Sequence, residues 1–159
     1  RVDAAIEREE FLNNLEYLDK TGWSVIGISS EETNENGGTY GAARCINDGN
    51  DDSYWHSKWT GNGSTFPHWF VVDMTKAQTI RGFRLVSSGG TSRYPKNIKI
   101  EVSNIPDSGW NEVWSGEAVL TPDLIELENT AAGYRYFKLT ILDGFSDGVH
   151  TRMNEIYVF

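Results

Sequence analysis

From residue 23 to the C-terminus the apolar positions recur with a period of two, and that pattern confines most of the chain to β-sheet. Ile98, Ile100 and Val102 fall on one face, with Lys99, Glu101 and Ser103 on the other. Phe137, Leu139 and Ile141 alternate in the same way with Lys138 and Thr140. Residues 68–74 (His-Trp-Phe-Val-Val-Asp-Met) are apolar on both faces, as in a strand covered on both sides. Further strands are predicted over 23–29, 80–87, 112–114, 124–127, 136–142 and 155–159. Gly89-Gly90, Pro95, Pro106-Asp107-Ser108-Gly109, Thr121-Pro122 and Gly144 supply the turns between them. Many short strands at this spacing, closed by a strand at the C-terminus, predict an all-β antiparallel β-sandwich with jelly-roll topology.

One segment departs from this period. Ala5, Phe11, Leu12, Leu15 and Leu18 recur at helical spacing, so residues 3–18 are expected to form a short helix closed by Gly22. The chain then divides into an N-terminal helix or linker, residues 1–20, and a sandwich domain over 21–159. A chain of 159 residues is long enough to bury one core.

Charge and composition remove several functions. A net charge of −9 with a pI near 4.7 argues against nucleic acid and against docking on anionic lipid. No apolar run is long enough to span a bilayer as a helix. The single cysteine, Cys45, permits no internal disulfide. Three histidines without a helical His-x-x-x-His pair make catalytic zinc a poor fit. There is no Gly-x-Ser-x-Gly elbow and no phosphate-cradling loop. Among 23 acidic residues, carboxylate pairs arise by chance, and none stands out as a glycosidase pair. The expected role is therefore binding rather than catalysis. Six tryptophans suit a carbohydrate or protein ligand.

The run from Cys45 to Trp59, Cys-Ile-Asn-Asp-Gly-Asn-Asp-Asp-Ser-Tyr-Trp-His-Ser-Lys-Trp, carries the most chemistry. Asp48, Asn50 and Ser53 place oxygens at short spacing around Gly49, which suits a hard cation such as Ca²⁺. An EF-hand is excluded, because Ser53 and Trp59 stand where that loop needs Gly and Glu. Glu155, opening the closing strand, is a candidate distant acid. From the loop alone, Asp48 and Ser53 serve equally well as turn caps. Beyond the loop, Trp55 is expected in the core, while His56 is expected to be exposed beside Trp59.

These elements together resemble the discoidin family, or F5/8 type C domains, and especially the bacterial family-32 carbohydrate-binding modules with their galactose-binding-like fold. The resemblance rests on Ala43-x-x-Ile46-x-Asp48-Gly49, Ser53-Tyr54-Trp55-His56-Ser57 and Pro67-His68-Trp69-Phe70-Val71-Val72-Asp73-Met74. It continues through Tyr94-Pro95-Lys96-Asn97-Ile98 and on to Ser103, then Asn154-Glu155-Ile156. It implies an eight-stranded jelly-roll and one structural Ca²⁺. By position, the ion would take carbonyls of Cys45, Asn50 and Asn154, the side chains of Asp48 and Glu155, and Ser53. It further implies a non-catalytic carbohydrate-binding module whose loops read a galactose-type or related hexose through His56, Trp59, Arg93 and Phe145. The Arg expected near Ser87-Ser88 is missing, and Arg93 is the first one on the loop that follows. The alternative is a discoidin-type protein-binding or adhesion domain of a cell-surface protein. The resemblance also implies a secreted, periplasmic or bacterial cell-surface location, a monomer, and neighbouring domains in a longer, glycan-degrading protein.

Overall fold

The structure, a computed structural model, describes residues 3–61 and 63–159. Among these residues one α-helix, α1 (Ala4–Asn13), is followed by eight strands: β1 (Ser24–Ile28), β2 (Trp55–His56), β3 (His68–Val86), β4 (Asn97–Ser103), β5 (Asn111–Glu117), β6 (Ile125–Ile141), β7 (Arg152–Met153) and β8 (Glu155–Val158). Every strand pairing is antiparallel. The large sheet runs β1-β3-β6-β4-β5, with β8 also on β3, and β2 pairs β7 as a separate ribbon. The result is the expected all-β open sandwich.

The alternation read from sequence becomes the core. Phe70, Val72 and Met74 of β3, Ile98, Ile100 and Val102 of β4, and Phe137, Leu139 and Ile141 of β6 are all buried in one cluster. Trp55 packs its edge on Phe70, and Phe83 does the same on Phe137. At Gly82 of β3 a Cβ would stand 2.3 Å from both the Ile125 carbonyl and the Phe159 ring, so only glycine lets the C-terminal residue close over the sheet.

Three expectations change. Residues 68–74 and 80–87 are not two strands but belong to one 19-residue strand, β3. Residues 124–127 and 136–142 likewise fall largely on one 17-residue strand, β6. The polar stretch through Thr75–Gln78 masks the continuity, because there the register shifts while pairing resumes beyond it. The helix ends at Asn13, nine residues before Gly22, and buries no residue. The segment after the helix does pack: Leu18 donates its N–H to the Val158 carbonyl at 2.8 Å and lies against the core. Tyr17 meets the rings of Tyr157 and Phe159. The sequence boundary at residue 20 therefore falls within a docked segment.

Candidate functional site

The ribbon of β2 and β7 sets His56 directly opposite Arg152. Around it gather the loops that precede β2 and those that join β2 to β3, β3 to β4, and β6 to β7. Ser57 N–H donates to the Thr151 carbonyl and Thr151 N–H donates to Ser57 Oγ, both at 3.0 Å, which locks the ribbon's continuation.

Trp59 is 46% exposed, yet its orientation is fixed. Its indole N–H donates to Glu35 Oε1 at 2.7 Å, and the Tyr54 hydroxyl donates to Glu35 Oε2 at 3.0 Å. Its backbone is held by Glu32, a buried carboxylate that accepts the N–H groups of Trp59 and Thr60 at 3.0 and 2.8 Å. Burial pushes the Glu32 carboxyl up, but the bonds from Thr60, Trp59 and Asn34 outweigh it and leave it below the usual range.

His56, expected to be exposed, is only 3% exposed, because it belongs to a strand rather than to a loop. Its Nδ1 lies 2.6 Å from the Ser57 carbonyl. A carbonyl only accepts, so Nδ1 carries the proton and Nε2 of the neutral ring remains an acceptor. Burial lowers the His56 pKa, and the charges of Arg93 and His150 push the same way against the Ser57 carbonyl and Glu35. The His150 ring stands 5.9 Å from that of His56 and its Nδ1 lies 3.1 Å from Asp147 Oδ2. Arg93 Nε is 3.7 Å from the same oxygen, which makes Asp147 the hinge between the β3–β4 and β6–β7 loops. Phe145, 45% exposed, projects from the latter loop, with the Lys96 ammonium 5.5 Å from its ring centre.

Arg152 was not singled out in the sequence. Its guanidinium lies 3.5 Å from the centre of the Tyr54 ring and against Gly89, where a Cβ would come within 2.5 Å of Nη1. With φ near +89°, Gly89 is needed both for that turn and for that space. The loop that lacks an arginine at Ser87-Ser88 thus has a guanidinium delivered to it from β7. Glu35, Tyr54, Asp147 and His150 were also missed. Only the tertiary placement of the loops brings them to His56, Trp59 and Arg93.

The second cluster lies at the opposite flank of the Cys45–Trp59 run. Cys45 and Ile46 are fully buried and Asp48 comes two residues later. Asp48 Oδ1 accepts the Asn50 N–H at 2.9 Å, while Oδ2 accepts the Ser53 hydroxyl. Ser53 Oγ also lies 3.1 Å from the Asn50 carbonyl. Asn154 spends its carboxamide on the Asp51 carbonyl and on Ser88. Glu155, fully buried, accepts the Gly49 N–H at 3.2 Å on Oε1 and meets the Lys20 ammonium on Oε2. The residues expected around Ca²⁺ therefore converge, but as a donor set they do not fit a dication beside Lys20. Every side-chain oxygen of the two acids already has a protein donor, and one donor is itself a cation. Among the described residues, no three His, Cys, Asp or Glu side chains come together as a metal site.

An open antiparallel sandwich with an aromatic and polar site on the loops at one end defines a class of ligand-binding β-sandwich modules. The F5/8 type C domain profile matches residues 27–156, and the chain belongs to that family. Its structural neighbours include family-32 carbohydrate-binding modules. The C-terminal domain of a chitobiase from Bacteroides fragilis is 27% identical with a TM-score of 0.77, over 91% of this chain and 97% of that one. A Clostridium perfringens module solved with GalNAc-β-1,3-galactose is 20% identical at a TM-score of 0.76, over 91% and 99%. The family 32 module of C. perfringens NanJ, solved with galactose, is 20% identical at 0.66, over 89% and 96%. No curated protein sequence matches the chain significantly.

Proposed function

We propose that this chain is a non-catalytic carbohydrate-binding module that takes a neutral hexose terminus, of galactose type, on the loop end bearing His56 and Trp59. The observation that carries the reading is Trp59, a half-exposed indole whose ring is oriented by Glu35 and whose backbone is held by Glu32, three residues after His56. An immobilised aromatic face stacks on the apolar side of a pyranose at little entropic cost. Phe145 offers a second face. His56 Nε2 accepts from one hydroxyl, while Arg93 and Arg152 donate to others. Arg93 lies beside Asp147 and Arg152 sits in the field of Glu35, so each guanidinium has a carboxylate of its own nearby. That balance favours an uncharged ligand. The sugars bound by the C. perfringens modules are of this kind, and they support the same choice here.

Such shallow sites bind weakly alone and gain avidity from linked copies or from an attached enzyme. The chitobiase domain from B. fragilis is one such attachment, and this reading places the present chain outside the cytoplasm in a similar setting. A glycan array, followed by calorimetric titration of the best hit, tests the proposal. Saturable binding that is lost in Trp59→Ala is the expected result. A blank array, or binding indifferent to Trp59, overturns it.

A further inference from the structure

The loop cage next to β8 has its own cation. We propose that Lys20 takes the place where the family resemblance expects Ca²⁺, so that the domain is fastened by a tethered ammonium rather than by a bound metal. Glu155 is completely buried at the start of β8, and a buried carboxylate must be neutralised or paired. Lys20 meets that need with two donors and with its charge. One contacts Glu155 Oε2, one reaches the Ile156 carbonyl at 2.9 Å, and the ammonium sits 4.0 Å from the centre of the Tyr157 ring. Asp48 and Asp51 add to its field.

The surrounding acids are likewise compensated from within the chain. The Tyr157 hydroxyl donates to Asp51 Oδ1 at 2.6 Å, and Arg84 lies 3.8 Å from Oδ2. Asp48 is held by Asn50 and Ser53. A Ca²⁺ ion bound to Glu155 needs an oxygen of that carboxylate at about 2.3–2.6 Å, which would set it against the ammonium already there. Lys20 is delivered with little freedom to lose, because Tyr17 and Leu18 are already docked along β8 and the C-terminus.

The test compares melting temperatures and calcium titrations. The unaltered protein, cleared of metal with a chelator, should melt at the same temperature with or without added CaCl₂ and give no heat on calcium titration. Lys20→Met should melt lower by roughly 10 °C, as expected for a buried pair broken on one side. Because its cage then lacks a cation, added calcium should recover much of that loss. Lys20→Arg, which keeps the charge, should lie much closer to the unaltered protein. Calcium binding by the unaltered protein with a matching rise in melting temperature would overturn the proposal. So would a Lys20→Met protein that loses no stability in chelator. If Lys20→Met does not fold in chelator, refolding it with calcium supports the proposal, and the titration of the unaltered protein still decides it.

Discussion

Trp55 and Trp59 lie four residues apart in one short run, yet they do opposite work. Trp55 is fully buried, edge-on to Phe70, with its indole N–H on the Ser30 carbonyl at 2.8 Å. Trp59 keeps nearly half its surface in water. Truncating Trp55 to Ala should therefore cost about 3–5 kcal/mol and unfold much of the population. Truncating Trp59 should leave the melting temperature nearly unchanged but weaken sugar binding by roughly tenfold or more, about 1.4 kcal/mol. Paired melting and titration curves check both expectations, and equal destabilisation would place the sugar elsewhere. The sequence could separate these two residues because Trp55 lies inside the strand-like step that the family resemblance buries, whereas Trp59 lies beyond it. It could not place Arg152, whose guanidinium crosses from β7 to Gly89. Nor could it see that His56 lies in a strand of only two residues. His56 also sets a pH dependence. Its folded pKa lies below the ordinary 6.5, so the neutral acceptor is present above that value and is lost as pH falls through the lowered one. Sugar affinity should stay flat from neutral pH to below 6.5 and then decline, and His56→Gln should remove that decline. Calorimetry across this range would expose a wrong tautomer, since an imidazolium donor would make binding tighten on acidification.

At the scale of elements, period-two patterns located the sheet, but strand length was hidden wherever polar residues interrupt the alternation. Thr75 to Gln78 and the Ala-Ala-Gly of 131–133 read as breaks, although β3 and β6 continue through them by shifting register. A register shift keeps the ladder while abandoning the side-chain pattern, and pattern is all that a sequence offers. The N-terminal segment misled for a related reason. Its apolar spacing indicated one helix to residue 18, whereas the helix ends at Asn13 and buries none of its own residues. The useful residues are those after it, which add Tyr17, Leu18 and Lys20 to the edge of β8. A chain starting at Glu16 should thus melt close to the full chain, whereas one starting at Thr21 should melt many degrees lower or fail to fold. Circular dichroism of the two truncations makes the comparison. Equal stability of both would show that the docked segment contributes nothing.

Over the whole molecule, a charge of −9 and a locally balanced site make different demands on a ligand. The global field repels polyanions at distances up to about a Debye length, roughly 8–10 Å at ordinary salt. Within the site, Arg93 is drawn to Asp147 while Arg152 stacks on Tyr54 near Glu35, so neither guanidinium stands as an uncompensated charge. Stacking and hydroxyl contacts with a neutral sugar carry no net Coulomb energy, so their strength should hardly follow ionic strength. A neutral hexose-terminated glycan should therefore bind with a Kd that changes less than about twofold between low and high salt. The same glycan bearing a sialyl or sulfate group should bind more weakly at low salt, with part of the gap closing as salt screens the acidic body. Titrations of the matched pair at two salt concentrations decide between body and site. Tighter binding of the anionic glycan at low salt, fading as salt rises, would mean that Arg93 and Arg152 act as free cations, and the ligand class would then be an acidic sugar.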